Sequence, residues 1–243
     1  MSPRLVRYFP VIDSTNQAAL HWLAAADGAP DRALIIADEQ TSGRGRSGRT
    51  WFALAGTSVL ITLILHPSRA ALPRITMLGA LALLETVRAY GAADAGIKWA
   101  NDVQIGGRKV CGVLPEAAWQ GDQLLGVALG IGLNVNVDFA GSPLDSTATS
   151  LQAAAGRPLD RLEVLQHMLE RLDHWLERID DAALFETWRG ALNMIGRPVS
   201  AGGISGTAEA VEADGALIVR TADGVRHRVI AGDIGVGYEE KRG

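Results

Sequence analysis

Glycines alternating with arginines in one loop have the types and spacing to hold an anion. In Gly43-Arg44-Gly45-Arg46-Ser47-Gly48-Arg49 the glycines permit close backbone approach to a ligand. The arginines bring permanent charge and fork-shaped donors suited to phosphates. Trp51 follows, and an aromatic face can stack on a base. The pattern suits a polyphosphate with an attached nucleobase. It is no Walker loop, because the Gly-Lys-Ser/Thr ending is missing. A solvated basic loop and a short RNA-binding segment are the competing readings. RNA-binding Gly-Arg tracts are usually longer and repeated, so a small anionic ligand is favoured.

A second cluster is Lys98-Trp99-Ala100-Asn101-Asp102 followed by Gly106-Gly107-Arg108-Lys109-Val110-Cys111-Gly112. An ammonium can neutralise charge developing on a phosphate or an attacked carbonyl. A carboxylate can orient an amine or help hold Mg²⁺ beside phosphates. Taken alone, an ordinary charged hairpin explains the same residues. Gly130-Ile131-Gly132-Leu133-Asn134-Val135-Asn136 is either a strand with a glycine bulge or a strand presenting amides to a base or ribose. It lacks the third glycine and following helix of a dinucleotide fingerprint.

These residues need elements to position them. Leu5–Phe9, Ala33–Ala37 and Ser58–Leu65 read as strands. Asp13-Ser14-Thr15 caps a helix that Gly28 and Pro30 stop. Pro73 opens a helix through Tyr90. Short strands are expected at 97–99, 103–105 and 109–114, with a Gly-Gly turn between the last two, and a long one over 123–137. Residues 161–179 form a helix with an apolar stripe of Leu162, Leu165, Leu169, Leu172, Leu176 and Ile179, and 181–192 form another. From Gly196 to Tyr238 the chain reads as short strands with Asp-Gly turns.

The 243 residues carry a net charge of −4, with 48% hydrophobic and 21% charged residues. That composition excludes disorder, collagen and coiled coil as the overall state, and a generally basic nucleic-acid-binding surface. The single cysteine, Cys111, excludes an internal disulfide. With no signal-peptide pattern in the first residues, it points to a reducing, cytoplasmic compartment. Ser58–Leu65 is far shorter than the ~20 residues of a membrane span, and no spanning segment is expected. The five histidines lack ligand spacing, so no structural metal is expected. Trp22, Trp119, Trp175 and Trp188 read as core or interface aromatics, and Cys111 as a small buried thiol.

Together the motifs resemble biotin protein ligase, the biotin–[acetyl-CoA-carboxylase] ligase family. They are DSTN at 13–16, EQTSGRGRSGRTW at 39–51, KWANDV at 98–103, RKVCGVLPE at 108–116 and GIGLNVN at 130–136, in the family's order. The resemblance covers nearly the whole chain. It implies an α+β fold: a mixed, largely antiparallel central sheet flanked by helices, as in class II aminoacyl-tRNA synthetases, with a small C-terminal SH3-like β-barrel. The implied division is 1–194, catalytic, and 195–243, SH3-like.

The resemblance also implies two steps. Biotin and ATP, with Mg²⁺, give biotinyl-5′-AMP, and a lysine of a biotin carboxyl carrier protein domain then takes the biotin. Lys109, Arg44 and Asp102 would be the catalytic set. Ser14, Thr15, Asn16 and Gln40 would meet biotin; Arg44, Gly45 and Arg46 would close over its carboxylate and the phosphates. Trp51 would pack near adenine, Lys109 would bind the carboxyl and α-phosphate, Gly112 and Leu114 would offer backbone bonds, and Asn134 would contact the nucleotide. Asp102 would orient the acceptor lysine or assist the metal, whose ligands are otherwise unassigned.

The chain departs from the family's pattern at Ala100, where proline is usual, and at Ser47, where a second arginine is common. Some members carry a DNA-binding helix-turn-helix domain. Here DSTN starts at residue 13, so DNA binding is not expected, and either a monomer or a homodimer is compatible. Lipoate or octanoate ligation or transfer, and a non-catalytic biotin-binding module, are the alternatives.

Overall fold

The computed structural model describes residues 4–237. Tyr238, the end of the last expected strand, lies outside the described residues, as do residues 1–3. The chain runs β1 (Val6–Ile12), α1 (Thr15–Ala24), β2 (Leu34–Gln40), β3 (Ser58–Leu65), α2 (Leu72–Ala89), β4 (Gly96–Lys98), β5 (Asp102–Ile105), β6 (Arg108–Gln120) and β7 (Gln123–Asn134). Then follow α3 (Leu151–Ala155), α4 (Arg161–Leu176), α5 (Ala182–Gly190) and β8 (Pro198–Ala201), β9 (Ile204–Val211), β10 (Leu217–Arg220), β11 (Arg226–Val229) and β12 (Ile234–Val236).

The first seven strands form one sheet in the order β1-β2-β3-β7-β6-β5-β4. Only β1 and β2 pair in parallel; the other neighbours are antiparallel. The sheet is thus mixed and largely antiparallel. Its middle explains the largely apolar sequence of β3, interrupted at Ser58 and Thr62: every residue of that strand is buried, because both faces are covered. Val59, Ile61, Leu63 and Leu65 point into the large core shared with α2, α4 and α5, while Ile64 meets Trp22 and Leu23 of α1 on the other face. Burying each such aliphatic side chain contributes roughly 1.5–3 kcal/mol.

The Ser14 hydroxyl accepts from the Gln17 N–H and starts α1, so Ser14, Thr15 and Asn16 sit together at that helix's first turn. In α4 the buried stripe is Val164, Leu165, Met168, Leu169, Leu172 and Trp175. That rotation leaves Leu162, expected inside, 59% exposed at the rim. Trp119 is not a core aromatic: it is 46% exposed, with the Arg69 guanidinium over its ring. The helical stretch Arg69–Ala89 is long and apolar enough to cross a membrane, contrary to the sequence reading, but 67% of its most apolar part is buried inside the protein.

The last five strands form an antiparallel sheet in the order β11-β10-β9-β8-β12. It is not a separate ball: Val199, Ala208, Leu217 and Ile234 join the same apolar core as the large sheet. The turn between β9 and β10 docks by a hydrogen bond from the Trp99 indole N–H to the Gly215 carbonyl, 2.7 Å.

Candidate active site

A cavity of about 550 Å³ opens over the β6–β7 face of the large sheet. Every candidate from the sequence lines it: Ser14, Thr15, Asn16, Gln40, Arg44, Gly45, Arg46, Trp51, Asp102, Lys109, Gly112, Leu114 and Asn134. The floor comes from strand register. Gly112 of β6 faces Gly132 of β7, and Leu114 faces Gly130. Pairing of β7 with β3 is continuous there, so the glycines do not make a bulge. They are needed because side chains lie on the strand. A Cβ on Gly132 would sit 2.5 Å from Trp51 Cε2, and one on Gly130 would sit 2.2 Å from Asn16 Oδ1. The register shift in this hairpin is farther on, between Ala118 and Trp119.

One end of the cavity is a polar cluster at the start of α1. The Thr15 N–H and hydroxyl donate to Gln40 Oε1 at 2.9 and 3.0 Å. Asn16 Nδ2 donates to the Leu114 carbonyl at 3.0 Å and to Glu116 Oε2 at 2.8 Å, and its Oδ1 accepts from the Thr62 hydroxyl at 2.6 Å. Such a set of oriented donors and acceptors beside apolar walls suits a small polar ring with an apolar body.

Cations gather in the middle. The Gly-Arg loop is an ordered turn, with an Arg44–Thr50 bridge and a tight 3-10 turn at Arg46–Gly48. Arg44 pairs with Glu116 at 2.8 Å. Arg46 donates to Asn101 Oδ1 at 2.6 Å and to the Gly232 carbonyl at 3.2 Å. Arg49 pairs with Asp233. The loop is therefore held by the C-terminal sheet, and Asp233 and Ile234 line the cavity. Lys109 pairs with Asp102 at 2.7 Å and lies 5.4 Å from the Trp51 ring centroid. At 35% and 23% side-chain exposure, that pair contributes little to folding. Asn101 is buried and its amide donates to the Val113 carbonyl, which fixes the turn carrying Asp102. The Trp99–Ala100 peptide in this turn is cis.

At the far end, Asn134 Nδ2 donates to the Thr149 carbonyl, while the buried Oδ1 has no partner among the described residues. The buried Trp51 indole N–H has none either. Asn136 is different: it satisfies the backbone of Leu159 in both directions and does not face the cavity. Phe52 and Leu144, both exposed, stand at the mouth. Cys111 is fully buried beneath, and burial pushes its thiol far above the usual range.

Sequence reasoning missed Glu116, Asn101, Asp233 and Ile234. The first two lay inside quoted motifs, Glu116 two residues after Leu114 and so on the same strand face. The last two lie in the GDIGV stretch at 232–236, read only as part of the SH3-like unit, and only tertiary docking brings them here. Among the described residues no group of three or more His, Cys, Asp or Glu side chains could hold a metal ion.

Residues 8–134 match the biotin/lipoate A/B protein ligase family, and 194–237 match the biotin protein ligase C terminal domain. The chain is 34% identical over 241 residues to the bifunctional ligase/repressor BirA of Bacillus spizizenii, covering 95% of this chain and 73% of that protein. It is 35% identical to a biotin–[acetyl-CoA-carboxylase] ligase of Paracoccus denitrificans, covering 86% and 91%. In fold it is similar to the biotin protein ligase of Aquifex aeolicus solved with biotin and ATP, with TM-score 0.81, 24% identity, and 97% and 99% coverage.

Proposed function

The chain belongs to the biotin/lipoate A/B protein ligase family, and on that premise we propose how its cavity works as that of a biotin protein ligase. A biotin carboxylate oxygen attacks the α-phosphorus of ATP; the bond to pyrophosphate breaks and biotinyl-5′-AMP forms. The amine of a carrier-domain lysine then attacks the acyl carbon, the bond to AMP breaks, and the amine gives up a proton as the amide forms. The observation that carries this reading is one cavity joining a polar ring-sized end to Arg44, Arg46 and Lys109.

Ser14, Thr15, Asn16 and Gln40 hold the biotin ring, with backbone groups of Gly112 and Leu114. Arg44, Gly45 and Arg46 cover the carboxylate and phosphates, and the ordered loop keeps water from the anhydride. Lys109 neutralises charge building on the α-phosphate in line with the attack. Trp51 packs near adenine, and the free Asn134 Oδ1 accepts from the nucleotide. Asp102, beside Lys109, orients the incoming amine.

Mg²⁺ fits only as an ion carried by the nucleotide: the cavity's carboxylates, Asp102 and Asp233, are already paired with Lys109 and Arg49, and the described residues form no cage. That accords with Mg²⁺ being held largely by substrate phosphates and water. When bound, it would offset triphosphate charge.

The partner is the biotin carboxyl carrier domain of a biotin-dependent carboxylase. We also infer two units, 1–194 and 195–243, acting as a monomer or homodimer in the cytoplasm, away from membranes and without binding DNA. A gel shift with biotin-operator DNA tests the last point, and saturable, sequence-dependent binding contradicts it.

The decisive assay is exchange of labelled pyrophosphate into ATP without carrier protein, with biotin, lipoate and octanoate in parallel. Exchange with biotin alone, abolished in Lys109→Ala, is expected. Exchange with lipoate or octanoate instead moves the substrate. No exchange with any acid from folded protein leaves a binding module.

A further inference from the structure

We propose that Glu116 is a positioning residue that orients Arg44 for the carboxylate of the acid substrate and ties it to the ring-binding end of the cavity; this rests on the ligase reading above. Glu116 shares its strand face with Gly112 and Leu114 and, from behind the lining, reaches Arg44 and Asn16, which both line the cavity. Its two oxygens do different things. Oε1 takes Arg44 Nη2 at 2.8 Å, and Oε2 takes Asn16 Nδ2 at 2.8 Å.

The hydrogen-bond inventory makes this link directional. Both N–H groups of the Asn16 amide are used, one on the Leu114 carbonyl and one on Glu116, and its oxygen accepts from Thr62. Flipping that amide would set its oxygen against two acceptors. A continuous chain therefore runs from Thr62, buried within β3, through Asn16 and Glu116 to the Gly-Arg loop. Arg44 meets Glu116 as an ion pair through Nη2, and its guanidinium carries five donors to offer an anion. The ion pair is partly solvated, with side-chain exposures of 43% and 22%, so its consequence is geometric rather than a large share of stability. The backbone pairing of Glu116 with Ala128 does not need its carboxylate.

Glu116→Gln keeps the shape and an oxygen for Asn16 but removes the charge facing Arg44. In pyrophosphate exchange the expected result is a rise of about tenfold in KM for biotin, with kcat and KM for ATP within about twofold of wild type. Because Glu116 acts through Arg44, Arg44→Ala and the Arg44→Ala/Glu116→Gln double variant should coincide, showing non-additivity. Trypsin, which cuts after Arg44, Arg46 and Arg49, should nick the ligand-free variant faster than wild type.

Unchanged biotin KM in a Glu116→Gln protein that melts with wild type overturns the proposal, as does a double variant whose losses add. If wild-type protein exchanges with no acid, the ligase reading has failed instead; equal trypsin rates then overturn the tether, and a faster rate upholds it.

Discussion

Replacing Gly130 by alanine would put a methyl carbon 2.2 Å from Asn16 Oδ1, 2.7 Å from its Cγ and 2.8 Å from Nδ2. The β7 backbone cannot yield, because it is paired continuously with β3 on one side and β6 on the other. The carboxamide must retreat by nearly an ångström, and it is held by Thr62, Leu114 and Glu116. Either the crowding stays, or hydrogen bonds of about 1 kcal/mol net each are lost from a buried amide. The cost is about 2–4 kcal/mol. Urea unfolding of Gly130→Ala reads it directly, with Gly190→Ala as control. Gly190 ends α5 with nothing within 4 Å of an added Cβ, and alanine there should be neutral or stabilising by about 0.5–1 kcal/mol. Biotin-dependent exchange on the same proteins reads the ligand end, where KM should rise at least tenfold for Gly130→Ala. A wild-type unfolding midpoint with wild-type KM would refute the close contact. Lost stability with unchanged KM would refute the role given to Asn16.

Three further outcomes are expected. The Tyr8 hydroxyl donates to Asp38 and Arg161 lies 3.0 Å away, holding the Asp38 carboxyl below its ordinary 3.8. Its contribution to stability is present above that value and lost as pH falls through the depressed one, so Asp38→Asn should flatten acid unfolding below about pH 4. Cys111, buried and held neutral, should resist iodoacetamide at alkaline pH until the chain unfolds, and rapid labelling of native protein would contradict that burial. Trp99→Phe removes the donor to the Gly215 carbonyl, costing about 1–2 kcal/mol, and should speed hydrogen exchange in β9 and β10 over that in β3.

Much of the fold was legible because local and tertiary demands agree. The β3 limits match their expectation because six of its eight residues are apolar and β-branched or leucine, and two covered faces need that run. The α2 helix began where Pro73 said it would, within a residue. The short α3 helix was not expected, since five residues carry no periodicity. Strand β6 runs six residues past its expected end at Leu114, because pairing with β7 carries Pro115, Glu116 and the residues beyond, which have no strand signature of their own. The glycines of β7 were visible, but their reason was not: a missing Cβ reveals nothing until Trp51 and Asn16 are seen lying on it. Leu162 misled because apolar type fixes a preference for burial and not the rotation that provides it.

The grip of Gly232 and Asp233 on the Gly-Arg loop has a consequence for biosynthesis. Domains fold as units, in the order in which they leave the ribosome. The large sheet is complete by Asn134, whereas the wall at Asp233 and Ile234 is made about a hundred residues later. A nascent chain can therefore own a finished sheet and an unfinished cavity. In that interval the loop has lost its C-terminal anchor, and an activated acyl group formed there would meet water. Completing the cavity thus depends on strands made after the sheet that carries its floor.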